Sequence, residues 1–417
     1  MELPPILTTL TPTEWLPAPE WMNVHYLLRA ERCPRSAALR HARYATIWER
    51  PGYPDKPSIA AASGIVIHSA IGRLITELAR RGCTSSSDAT FCAILREFGG
   101  YSAVIADAIN DVVNGLVMNP RFQPVQEFFV ATLRNRIPVF REGIQLQLSR
   151  LKWAALSPPL QGSHEHAPRR PRHPLAPGSH FEVELRDPLL KWKGVADLVE
   201  FAPSHCAITD FKSGGPSDDH LFQIRVYALL WLDDSELNSG AVPVTRLTLS
   251  YSSEQREVQF LEADQIFLRS ELQARTKAVR DEICGARSKA VLSGEVCPRC
   301  DVRQLCDEYW TSARLRPEPQ NGADKQFEDA QLVLISKKGE STWLAEVQIA
   351  NHISVHTELL LRWSSDHLQV LQNLTPGTII RVMGALVSDA EGNSKVLACI
   401  SNTDLIVLQS HNSDSQS

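Results

Sequence analysis

The chain has 417 residues, enough for two or three domains that each bury a core. At 43% hydrophobic and 22% charged residues it has an ordinary globular composition, and a formal net charge of −5 argues against indiscriminate binding to phosphate backbones. The opening MELPPILTTLTPTEW lacks a basic stretch followed by an apolar run, and no uninterrupted apolar stretch approaches the ~18 residues of a membrane span. The expectation is a cytoplasmic protein without signal peptide or membrane partner.

Residues 21–50 mix apolar and basic side chains at helical spacing. From Ser58 to about Arg80 the chain is apolar around most of a helical circumference, which predicts a buried helix, and helical pattern continues to about Trp153. Residues 156–179, rich in Pro and His, read as an exposed, mobile loop. From His180 the period becomes that of strands. HFEVELRDPLLKWKGVADLVEF predicts a hairpin or meander, and HCAITDFKSG a short strand ending in a turn. SDDHLFQIRVYALLWLDD predicts a helix with Ser217 or Asp218 as N-cap; residues 242–262 give two more strands, and 264–293 return to helix. Three strands, a helix and a strand within a helical surround define an α/β core. The polar, Pro- and Gly-containing TSARLRPEPQNGADKQ has the look of a linker. Beyond it, five short strands in about 80 residues suggest a small β-barrel, and SHNSDSQS reads as a frayed tail. The domains predicted are therefore 1–312, a linker at 313–326, a barrel at 327–409 and a disordered tail at 410–417.

One constellation carries chemistry. Asp210 and Lys212 lie two apart on a strand, so their side chains leave the same face. Asp197 lies in GVADLVE, on a strand where Gly194 permits close approach; if the two strands pair, both carboxylates converge on one cation. Such a cation would neutralise a phosphodiester and lower the pKa of a bound water, and hard oxygen ligands suit Mg²⁺ or Mn²⁺. A lysine beside them can orient that water and stabilise developing charge. Gln223 and Tyr227, spaced i, i+4, share one helix face, and His68 upstream is a candidate additional ligand through a neutral imidazole.

GVADLVE, AITDFKSG and HLFQIRVYALL, in that order, resemble the motifs of RecB-like nucleases of the PD-(D/E)XK superfamily, and GIVIHSAIGRLI is similar to that family's upstream histidine motif. The resemblance covers roughly residues 20–312, apart from the helical stretch at 81–153. It implies a restriction-endonuclease-like α/β core and metal bound by His68, Asp197, Asp210 and the backbone carbonyl of Phe211. It also implies that Lys212 is catalytic and that Gln223 and Tyr227 assist at the substrate phosphate.

Nine cysteines in a cytosolic chain seldom mean disulfides. Cys83, Cys92, Cys206, Cys284 and Cys399 are scattered and read as packed thiols. Cys297, Cys300 and Cys306 cluster, and Cys33 in AERCPRSAALRH is the best fourth ligand for either a [4Fe–4S] cluster or zinc. The one-plus-three arrangement resembles iron–sulfur nucleases of the AddB and CRISPR-associated types, which implies a cluster stapling the two ends of the nuclease domain together. Arg32 and Arg35 are expected near it, facing DNA phosphates or solvent.

LTPGTIIRVMGALV gives the C-terminal barrel a resemblance to an OB-fold. From Glu328 to Leu408 there are nine acidic and five basic residues, so protein docking or domain packing is as reasonable a role as DNA binding. The expected function is a metal-dependent DNA nuclease, an exonuclease rather than an endonuclease, acting in repair or in defence against foreign DNA. Its expected partners are single strands or duplex ends and a helicase or other protein bound through the C-terminal barrel; the chain has no GxxxxGK[ST] loop, so any helicase would be a separate protein. The rivals are a non-cleaving DNA- or protein-binding scaffold on the same fold and a zinc-stabilised regulatory protein.

Overall fold

The computed structural model describes residues 5–151, 153, 172–212, 214–251, 253–312, 326–363, 374–389, 395–400 and 403–408. Most of the predicted 156–179 loop, nearly all of the 313–326 linker and the 410–417 tail lie outside the described residues.

The N-terminal helices are α1 (Pro5–Thr8), α2 (Val24–Arg32) and α3 (Pro34–His41). Asn23 caps α2 by accepting from the Tyr26 amide, and Cys33 stands in extended backbone between α2 and α3, with Pro34 pre-set for the first turn that follows. Next come α4 (Ile59–Arg80), α5 (Phe91–Glu97), α6 (Gly100–Leu116), α7 (Gln126–Asn135) and α8 (Ile137–Arg150). By length and composition α4 could cross a bilayer. Here its Val66, Ile71, Ile75 and Leu78 are buried in one core with Ile105 and Ile109 of α6 and Ile144 of α8. The helical region at 81–153 is thus the packing partner of α4.

The central sheet consists of β1 (Gly178–Asp187), β2 (Trp192–Ala202), β3 (His205–Lys212), β4 (Val244–Tyr251) and β5 (Gln255–Val258), hydrogen-bonded in that order. Only the β3–β4 pair is parallel; its crossover is α9 (Asp218–Asp233), whose N-cap is Ser217. Strand alternation divides the sheet between two cores. Val199 and Ile208 are buried with α9, whereas Leu198 and Phe211 are buried with α4. The long helix that follows, α10 (Glu262–Glu282), stops well short of the predicted residue 293. The chain turns left-handed at Gly285 (φ +59°), and the strap beyond it lies against α3, accepting from the Arg35 amide at the Lys289 carbonyl and from the Arg35 guanidinium at the Ala286 carbonyl. Among the scattered cysteines, Cys83, Cys206 and Cys399 are buried as expected, but Cys92, in the first turn of α5, and Cys284, just past α10, are exposed.

After α11 (Asp307–Thr311) the described residues of the C-terminal domain form six strands where the sequence predicts five: β6 (Gln326–Gly339), β7 (Thr342–Ala350), β8 (Glu358–Trp363), β9 (Ile379–Asp389), β10 (Lys395–Cys399) and β11 (Asp404–Leu408). The apparent single strand KVLACISNTDLIVL breaks where the Thr403 hydroxyl accepts from the Ile400 amide. The long β9 then pairs along one edge with β6 and along the other with β11 and β10 in succession. The β9–β10 pairing closes β6, β7, β8, β10 and β9 into a five-strand ring, in which β8 and β10 run parallel, with β11 added outside it.

The barrel is seated on the preceding part of the chain through charges as well as apolar contacts. Asp404 on β11 takes ion pairs from Arg121 at 2.8 Å and Lys56 at 2.7 Å. Asp329 on β6 accepts from Arg303, from the Tyr309 hydroxyl at 2.6 Å and from the Gly384 amide at 2.7 Å. Arg381 on β9 donates to the Gln304 carbonyl and lies over the Trp310 ring. Met383 and Ile406 of the barrel share a core with Leu39 and Tyr44 near α3 and with Val302, Leu305 and Cys306.

Candidate active site

The β2–β3 pairing brings the predicted carboxylates together. Its last register pair is Leu198 with Thr209, so Asp197 and Asp210 are the next residues across and share the α9 side of the sheet. Asp197 accepts from the Phe211 amide at 2.7 Å and stands 3.5 Å from Nδ1 of His68, which arrives from α4. Asp210, only 2% exposed, has the Lys212 ammonium 2.5 Å from its Oδ2. Lys212 also donates to Oε1 of Gln223 at 2.7 Å, and Nε2 of Gln223 donates to the Tyr227 hydroxyl at 2.6 Å. Gly194 explains how the tyrosine fits: a Cβ there would fall 2.5 Å from Cε1 of Tyr227, so only glycine lets the ring lie against β2.

Every predicted metal-site residue therefore lies in one neighbourhood. Phe211 contributes an amide to Asp197 and a ring stacked on Phe181 that also meets His68 edge-on. Burial, and then the charge of Asp197, push the Asp210 carboxyl up to about 6, against the opposing pull of Lys212. Burial would lower the His68 imidazole, but its hydrogen bond and charge contact with Asp197 outweigh burial and raise it. The Oδ2 atom of Asp210 is buried and accepts no hydrogen bond of sound geometry beyond its ion pair with Lys212. Two close carboxylates, one holding such an oxygen, are a donor set that fits a hard divalent cation.

Cys33, Cys297, Cys300 and Cys306 line one small enclosed cavity together with Leu39 and Val291. The Cys33 sulfur accepts from the amides of Ser36 and Val291, and the Ser36 hydroxyl lies 3.4 Å from the Cys300 sulfur. Burial raises the Cys300 thiol and pushes the Cys306 thiol up to about 12, so a metal bound here would displace protons from neutral thiols. Four soft donors suit a thiophilic metal. Among the described residues, however, no three His, Cys, Asp or Glu side chains form a ready-made metal-holding group, at this cavity or at the carboxylates. Arg35 differs from expectation: only 9% exposed, it is spent on the strap and on the face of Trp15.

The sequence reading did not single out His25 or His220. His220 precedes Gln223 by one helical turn and its Nδ1 lies 3.1 Å from the Tyr251 hydroxyl. Its i, i+3 spacing from Gln223 was the available signal.

A model of the PD-(D/E)XK nuclease superfamily matches residues 23–307, which is more than half of the chain, and the chain belongs to that superfamily. Its members are generally metal-dependent nucleases, and Mg²⁺ or Mn²⁺ is their usual metal. No curated protein matches. Among solved structures, the p204 HINb domain is 10% identical over 57% of this chain and 99% of its own, with a TM-score of 0.17. A murine DNA binding protein bound with double-stranded DNA is 8% identical over 55% of this chain and 94% of its own, with a TM-score of 0.16. Likeness at those scores carries no argument.

Proposed function

We propose that the chain is a RecB-like, divalent-metal-dependent deoxyribonuclease in which Asp197, Asp210, His68 and the Phe211 carbonyl hold Mg²⁺ or Mn²⁺. The observation that carries this reading is the meeting of two carboxylates on one sheet face beside a lysine that is itself held by Gln223. When bound, the metal supplies charge neutralisation at the phosphate and acidifies a water. The protein's own groups do the rest. Asp197 is fixed by the Phe211 amide, so its other oxygen, which faces His68, keeps one direction. Lys212 places an ammonium where a phosphoryl oxygen gains charge and where an attacking water can be steered. Gln223 holds that ammonium, and Tyr227, buried against Gly194, fixes the amide of Gln223.

The gathering of all four cysteines around one cavity supports a [4Fe–4S] cluster of structural role, with zinc as the alternative occupant. The closed ring of β6, β7, β8, β10 and β9, with its parallel β8–β10 pair, supports an OB-like barrel. Its seating on Trp310 and Arg303 favours domain packing over strand binding as its main role. The substrate is DNA, taken as single strands or duplex ends in repair or in defence against foreign DNA, with any helicase supplied by a separate protein. Exonuclease action is the favoured mode.

The test incubates end-labelled single-stranded and duplex DNA with the full chain in Mn²⁺ and in EDTA. Progressive shortening in Mn²⁺ alone is the expected result; intact DNA with folded protein in Mn²⁺ rejects the nuclease reading. Iron, sulfide and zinc analysis of anaerobically purified protein decides the occupant of the cysteine site.

A further inference from the structure

A groove of about 750 Å³ runs between α2 and the first turn of α9. One wall presents His25, Arg29 and Arg32; the other presents His220 and Gln223. The far end reaches Arg299, next to Cys300. Because Gln223 holds Lys212, the groove opens directly from the candidate active site. Burial, and next the charge of Lys212, lower both His25 and His220.

The charges of the groove are arranged for exchange. Arg29, Arg32 and Arg299 face Asp219, Glu295 and Asp301, so no formal excess exists on paper. Asp301, however, is already held at 2.5 Å by Arg40 from outside the groove, leaving Arg29 as a second cation 3.5 Å from the same carboxylate. Among the described residues the Arg299 guanidinium has no ion-pair or hydrogen-bond partner. Arg32 crosses the groove to pair with Asp219, and both are well exposed, so solvent screens the pair and it yields readily to a stronger anion. A phosphodiester is such an anion, since arginine binds phosphate through two parallel hydrogen bonds. The lining has no Phe, Tyr or Trp, which points to recognition of a backbone rather than of stacked bases. A cleft of this volume has room for a short run of nucleotides of one strand.

We propose that this groove carries one strand of DNA to the active site by its phosphates, and that Asp219 is a plug that the phosphate displaces from Arg32. The identity of the ligand rests on the nuclease reading. The path itself rests on the groove.

The experiment measures binding of a labelled single-stranded oligonucleotide and its duplex to the full chain without added divalent cation, as a function of salt. Arg299→Ala and Arg32→Ala are each expected to weaken single-strand binding about fivefold and to reduce the salt slope by about 0.7, the loss of one phosphate contact. Asp219→Asn is expected to tighten it, and blunt-duplex binding is expected to change little in all three. Circular dichroism confirms that each variant is folded. Unchanged single-strand affinity in both arginine variants, or weaker binding in Asp219→Asn, overturns the groove while leaving a wild type that cuts DNA in Mn²⁺ a nuclease. A wild type that neither binds nor cuts overturns both.

Discussion

Two carboxylates deep in this molecule meet opposite fates. Asp210 lies on the central sheet with one cation, Lys212, and a second carboxylate, Asp197, at hand; its pKa is pushed up to about 6. Asp404 lies where the barrel meets the helices, with Arg121 and Lys56 both within 2.8 Å. There burial alone would raise the pKa, but the two cations outweigh it and hold the carboxyl far below the ordinary carboxylate range. The contrast separates glue from chemistry. A buried acid whose charge is fully answered by fixed cations joins elements; one left short of positive charge is where a mobile cation has something to gain.

The largest effect that separates the two regions is on cleavage. Lys212→Ala or Asp210→Asn is expected to lower the rate in Mn²⁺ by ~10³-fold or more, whereas Asp404→Asn should leave folded molecules cutting at close to the wild-type rate. Equal losses in both regions would erase the distinction. The second effect is on stability. Asp404→Asn removes the carboxylate charge paired with the Arg121 guanidinium, whose side chain is only 7% exposed and keeps its bonds to the Pro54 and Asp301 carbonyls, and is expected to lower unfolding stability by about 3 kcal/mol in urea titrations. Replacing the pair together, with Asp404→Leu and Arg121→Met, is expected to restore most of that loss.

The smallest effect has the opposite sign. Asp210 binds its proton more tightly in the folded chain than in the unfolded one, so its ionisation opposes folding. In metal-free protein, Asp210→Asn is therefore expected to raise stability by roughly 1–3 kcal/mol at pH 7. That gain shrinks as pH falls through about 6 and is gone near the ordinary carboxylate value of ~4, where both states are protonated. Thermal melts across that range check it. A variant less stable than wild type at neutral pH without metal would show that Asp210 is a completed pair after all.

The legible parts of the molecule were those with a local period. Asp210 and Lys212 share a face because strands alternate, and Gln223 and Tyr227 share one because helices repeat; both patterns are visible within a few residues. The junction was not legible, because Asp404 lies 283 residues from Arg121 and 348 from Lys56, and only the assembled topology brings them together. The groove was missed for a related reason. His25 and Arg32 on α2 face His220 and Asp219 on α9, and each helix alone reads as an ordinary amphipathic surface. The overlong helix ending at 293 and the reading of the last two strands as one were errors of termination: Gly285 and Thr403 mark turns that apolar periodicity does not report.

The strap after α10 has a bearing on how the chain is built. Ser36 meets Cys300, Arg35 meets Ala286 and Arg40 meets Asp301, all contacts between segments at least 250 residues apart. During synthesis α3 cannot make these contacts until the residues that follow α10 have been made. Contacts of such sequence separation must overcome a large loop-closure entropy, so joining α3 to the strap is a long-range step in folding.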